Sequence, residues 1–194
     1  MGTLFDIIGS TFIGGMILLL VLKMNIFISS ASIASDNELR LQQNAKTFAE
    51  ILNHDFRKIG YNYDGTAIIT ADEDHIRFVG DLERPGETGY GDIDTLEYFT
   101  KDASYSQGTS NPDDIILVRV LNDADSITGS SLGLVKLKFS YLDSLSIATA
   151  DLAKIKYIRT ELWIEPLDPV KNFITGEEDS VFTYWEFTIN PRNI

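Results

Sequence analysis

The chain contains no cysteine. Disulfides, thiolate metal sites and thiol nucleophiles are therefore excluded together. Histidine is nearly absent too: His54 and His75 stand alone, and isolated histidines make neither a metal site nor a catalytic triad. Of the five prolines, none falls between Thr3 and Ile59, so nothing in that stretch forces a helix to break. Positive charge is short, with 16 Lys and Arg against 29 Asp and Glu, a formal net charge of −13. A surface of that sign repels phosphates, which argues against a nucleic-acid partner. There is no Gly-x-Ser-x-Gly, no phosphate loop and no dinucleotide fingerprint. The chain reads as a non-enzyme.

What is present begins at the N-terminus. No charged side chain lies between Asp6 and Lys23, and none between Lys23 and Asp36. A helix rises about 1.5 Å per residue and a bilayer core needs about 20 mostly apolar residues. Residues 7–28 meet that need, with Lys23 as the one interruption. The stretch is not an ordinary secretory signal, since no basic residue precedes it and no small-residue cleavage site closes it. A myristoylation signal is excluded because Asp6 stands where Ser or Thr is wanted. Beyond residue 36 the pattern becomes amphipathic. Leu41, Ala45, Phe48, Leu52, Phe56 and Ile59 recur at intervals of four and three, one stripe of a helix. Gly60 then suits a left-handed C-terminal cap, and Arg57 and Lys58 suit the negative end of the helix dipole.

After Gly60 the period changes to that of strands. They are expected at about 66–71, 75–80, 93–99, 115–121, 134–142, 155–165 and 181–189. Alternation sets Val135, Leu137, Phe139 and Tyr141 against Lys136, Lys138 and Ser140, as in antiparallel sheets with one wet face. Residues 81–92, 100–114 and 166–180 read as long solvated loops, and 143–153 as a loop or a short helix. Hydrophobic residues make up 44% of the chain, enough for a real core. The expected class is α+β: a long N-terminal helix, apolar then amphipathic, packed on an antiparallel sheet. Three regions follow: 1–35 for the membrane or a filament core, 36–60 packed on the sheet, and 61–194 as a β-rich head.

These residues resemble the type IV pilin-like proteins, which include minor pilins and the pseudopilins of type II secretion. GTLFD (2–6) resembles the family's mature N-terminus, with Gly2 first, Thr3 and Leu4 as its Thr-Leu pair and Asp6 at its acidic position. FRKIGYN (56–62) resembles the segment that closes the long helix in larger minor pilins. DTLEYF (94–99), LVRV (117–120), LVKLKFSYLD (134–143) and FTINPRNI (187–194) resemble strands and the terminus of that subgroup. The family carries a basic leader cut after a glycine. Here Met1 alone precedes Gly2, so either a leader is missing from this sequence or removal of Met1 makes the N-terminus.

The resemblance implies that Asp6 meets a neighbouring subunit's α-amino group and sets axial register. The alternative is a carboxylate marking the interfacial end of a membrane helix. Gly14 and Gly15 either let helices pack closely or mark a point where the helix melts on assembly. The acidic clusters at 71–75, 90–94, 111–114 and 122–126 read as solvated loop carboxylates. No metal is expected, with calcium at Asp123 and Asp125 as the alternative. Trp163, on the charged face of its strand, is the better aromatic for a contact surface. The functional expectation is a structural subunit of a pilus-like or pseudopilus-like filament, with a minor or initiating role. Its partners would be copies of itself or sibling subunits, plus inner-membrane assembly machinery. It would sit in the inner membrane before assembly and in an extracellular or periplasmic filament afterwards. The alternative is a single-pass, membrane-anchored extracytoplasmic binding protein that never polymerises.

Overall fold

The structure, a computed structural model, describes residues 2–105, 109, 111–128, 132–167, 170–171, 178–179 and 182–194. Of Ala103 and residues 125–128, 170–171 and 178–179 it describes the backbone alone. One helix, α1, runs unbroken from Gly2 to Phe56. It ends three residues before Ile59, because the N–H groups of Lys58 and Ile59 bond three residues back, to Asp55 and Phe56, and tighten the last turn. Gly60 then takes φ +73°, the left-handed conformation expected there. A Cβ at Gly60 would stand 2.6 Å from the carbonyl oxygen of Asn193, so the chain's C-terminal end closes over this turn.

The strands are β1 (Ile68–Ala71), β2 (His75–Gly80), β3 (Asp94–Asp102), β4 (Ile115–Leu121), β5 (Asp125–Thr128), β6 (Leu134–Leu142), β7 (Tyr157–Ile164), β8 (Val170–Lys171), β9 (Glu178–Asp179) and β10 (Thr183–Ile189). They form an antiparallel five-stranded sheet in the order β1-β2-β3-β4-β5, a three-stranded sheet in the order β10-β7-β6, and the β8-β9 pair. The fold is α+β, as the patterning predicts. The stretch 143–153 is mostly irregular, with a turn near Ser144–Leu145, and leads into a short 3-10 segment at Leu152–Lys154 that Asp151 caps. The expected facing of Val135 needs correction. A bulge between Leu134 and Lys136 turns Leu134 into the core and leaves Val135 half-buried.

The core lies between the two larger sheets and the second half of α1. Leu41, Ala45, Phe48, Leu52 and Phe56 are its helical contribution, joined by Ile59. Phe56 sits where both sheets meet. Its ring lies 5.7 Å from Phe78 of β2, 5.9 Å from Tyr98 of β3 and 5.7 Å from Phe139 of β6. The stripe read from periodicity is therefore the seam that holds the head on the helix. Every expected member of it is buried.

Candidate assembly surface

From Gly2 to Arg40 no residue of the helix is buried. Every residue there is exposed except Ser30 and Asn37, which are half-buried. The 18-residue window that qualifies as a membrane span has a mean hydropathy of 2.1, and none of it is buried. Leu4, Phe5, Ile7, Ile8, Phe12 and Ile13 all present more than half of their surface. An apolar surface this continuous far exceeds the few hundred Å² a soluble monomer exposes. Three of its hydroxyls bond back to their own helix. Ser10 Oγ donates to the Asp6 carbonyl at 2.7 Å, Thr11 Oγ1 to the Ile7 carbonyl at 2.7 Å, and Ser30 Oγ to the Phe27 carbonyl at 2.9 Å. Hydroxyls satisfied by their own helix leave an apolar medium with little to desolvate.

Gly2, Thr3, Leu4 and Asp6 all lie on the exposed first turns of this helix. The Asp6 carboxylate has no ion-pair partner among the described residues. Gly14 and Gly15 are helical, and a Cβ added at either would meet nothing within 4 Å. Within one chain their smallness has no use.

Where the helix enters the head, its anchor includes a polar clasp that sequence reasoning missed. Asp55, on the buried side of α1, accepts from Tyr98 Oη at 2.5 Å and from Arg119 Nε at 2.7 Å; His54 Nδ1 lies 3.0 Å away. Burial by itself pushes the Asp55 pKa up. The hydrogen bonds from Tyr98, Arg119 and His54, with the Arg119 charge, outweigh it and hold the carboxyl below its ordinary value. The Tyr98 hydroxyl is pushed well above the ordinary phenol value, first by burial and then by the Asp55 charge. An acid on an amphipathic helix looks like a solvent-facing residue. Its partners lie 43 and 64 residues away, so no local pattern marks the cluster.

Most carboxylates of the acidic clusters are exposed, as expected, but Asp94 and Asp114 depart from that reading, as does Asp81 of the 81–92 loop. Asp81, Asp94 and Asp114 are buried. Asp81 accepts from Asn62 Nδ2 at 2.7 Å and from the Gly91 and Glu83 N–H groups, and Asp94 accepts from Asn122 Nδ2 at 2.7 Å. These two pin both ends of the 81–92 loop, because buried backbone donors need acceptors where no sheet partner is available. Asp123 sits in the β4–β5 turn at φ +59° and pairs with Arg77 Nη2 at 2.8 Å. The side chain of Asp125 lies outside the described residues. Among the described residues no group of three His, Cys, Asp or Glu side chains could hold a metal ion.

Two aromatic surfaces flank β10. Trp163, on the outer face of β7, packs 5.0 Å from Tyr184, with Lys136 Nζ 4.8 Å over its ring. Trp185 is exposed on β10, an edge strand. It lines an open groove between β10 and α1.

No protein-family model and no curated protein matches the sequence. Among solved structures, the chain is similar to a type IV-like pilin from Thermus thermophilus. The match has 11% identity and a TM-score of 0.52, and covers 79% of this chain and 97% of that one. A long, bare apolar helix that turns amphipathic and anchors an antiparallel β head is thus a type IV pilin-like fold.

Proposed function

We propose that the chain is a structural subunit of a type IV pilus-like or pseudopilus-like filament, assembled through the apolar half of α1, residues 2–35. The observation that carries this reading is the half-helix itself: apolar, continuous and uncovered, on a head of pilin-like fold. Lipid covers such a surface before assembly, and the same half-helix of other subunits covers it afterwards. Exchanging one apolar environment for another is nearly neutral, so withdrawal from the membrane calls for inner-membrane assembly machinery. The partners are copies of this chain or sibling subunits, and the role is structural rather than catalytic. A minor or initiating position suits its resemblance to the larger minor pilins. The acidic head faces outward in an extracellular or periplasmic filament, and its long loops decide what the surface meets.

Gly2, Thr3, Leu4 and Asp6 form the end that sets register in this reading. A carboxylate inside an apolar bundle is costly until a cation on a neighbouring helix meets it. The test is electron microscopy of the sheared surface fraction from cells carrying the wild-type chain or Asp6→Ala, with mass spectrometry for this chain. The expected result is filaments containing the chain, lost or disordered with Asp6→Ala. A wild-type chain that stays in the membrane as a monomer would sink the reading in favour of an anchored binding protein.

A further inference from the structure

Asp6 and Lys23 are the two charged side chains between Gly2 and Ser35, and they are opposite in sign. Both are exposed on an unbroken helix, and neither has an ion-pair partner among the described residues. Seventeen residues separate them, so they stand about 26 Å apart along the axis and about 100° apart around it. They cannot meet within one chain. We infer that they meet between chains: Asp6 of one copy pairs with Lys23 of a second, parallel copy displaced by about 26 Å along the helix. This inference rests on the filament reading and names the partner of its register-setting carboxylate.

The charges themselves select the offset. Two parallel copies side by side without displacement would set Asp6 beside Asp6 and Lys23 beside Lys23, like charges in an apolar medium. Sliding one copy by about 26 Å replaces both repulsions with an attraction and still leaves about 30 Å of the bare half-helices overlapping. An antiparallel pair would also match the charges, but it would need both on one face and would put the two heads on opposite sides of a membrane. The 100° separation instead aims each charge at a different neighbour. Every copy then offers Lys23 on one side and Asp6 on another. Such a contact is heterologous and does not close, which is the geometry of an open helical assembly. In lipid the same spacing is tolerable for a lone chain, because about 26 Å nearly spans a hydrocarbon core of about 30 Å and lets both groups reach the headgroups. Inside a protein bundle there are no headgroups to reach.

The absence of cysteine makes the test clean. Full-length chain carrying both Asp6→Cys and Lys23→Cys is expressed in its own cells, oxidised, and run without reductant. A ladder of covalent oligomers is expected, because each copy links to two others; a mixture of the two single-cysteine chains should stop at dimers. In parallel, Asp6→Ala and Lys23→Ala should each cut surface filament at least about tenfold by leaving one buried charge orphaned. The double variant Asp6→Ala/Lys23→Ala should recover most of that loss. If Asp6 instead answered only an α-amino group, Lys23→Ala would be silent and the double variant as defective as Asp6→Ala. Filaments that form without a ladder, or a double-cysteine chain that stops at dimers, overturn the offset pairing and leave the filament reading standing. No filament from the wild-type chain overturns both.

Discussion

Phe12 and Phe56 belong to one helix, yet Phe12 keeps 69% of its surface exposed and Phe56 keeps none. Between Gly2 and Ser35 the apolar residues occupy all sides of α1, whereas from Leu41 onward they gather mainly on one, with Ile51 the exposed exception. A helix greasy all round has no preferred partner within its own chain; one greasy on a stripe does. The same secondary structure therefore serves two kinds of packing. The C-terminal half is committed to two sheets by shape, while the N-terminal half is left to whatever apolar surroundings the assembly provides.

The contrast breaks most visibly by truncating one large side chain in each half. Phe56→Ala removes a ring that touches three others at the junction of both sheets, which typically costs about 3–5 kcal/mol. Leu22→Ala, on the bare half, should leave the head's stability unchanged within about 0.5 kcal/mol. Chemical denaturation of the detergent-solubilised chain, followed by tryptophan fluorescence from the head, measures both. A shift of the head's midpoint with Leu22→Ala would show that the halves are coupled.

How much of this was legible follows from the range of the interactions. The stripe from Leu41 to Phe56 and the alternation of Ile158, Thr160, Leu162 and Ile164 are local periodicities, and both are buried as patterned. Strand β5 carries no clear strand signal, because Asp125–Thr128 is four residues long and mostly polar. The facing of Val135 failed because a single bulge shifts the period by one, which no propensity reveals. The burial of Asp55, Asp81 and Asp94 is illegible for another reason. A buried acid is chosen by partners that are distant in sequence, and the surrounding residues carry no trace of them. The bare half-helix was fully legible in composition, whereas its charges gain meaning only once the helix is known to be continuous.

The clasp at Asp55 sharpens the comparison, because it gives the anchored half a pH dependence of its own. Asp55→Asn keeps the shape and removes the charge that Arg119 and Tyr98 face. The expected loss is about 2–3 kcal/mol at neutral pH, less than for a fully enclosed pair because Arg119 reaches water. The sign follows from the depressed pKa. The carboxylate's contribution is complete above its ordinary value of 3.8 and is lost as pH falls below that through the folded-state value. Wild type and Asp55→Asn should therefore differ at pH 7 and converge on acidification below about pH 3.8, as read by denaturant midpoints across pH. A constant gap down to low pH would mean that the clasp acts through shape alone.

The smallest expected effect lies back in the bare half, at Gly14 and Gly15. Each is helical with open space where a Cβ would be, so alanine fits without strain. Each Gly→Ala change should stabilise the helix by about 1 kcal/mol, since glycine loses more backbone entropy on becoming helical. Neither should move the head's denaturation midpoint. If assembly requires the helix to unwind there, that added stability opposes assembly, and filament yield should fall by about fivefold for one change and more for both. If the glycines instead serve close approach of helices, alanine should cost little and leucine much, because alanine is itself small enough for tight crossings. Filament yield for Gly14→Ala/Gly15→Ala against Gly14→Leu, measured in the sheared fraction, separates melting from packing.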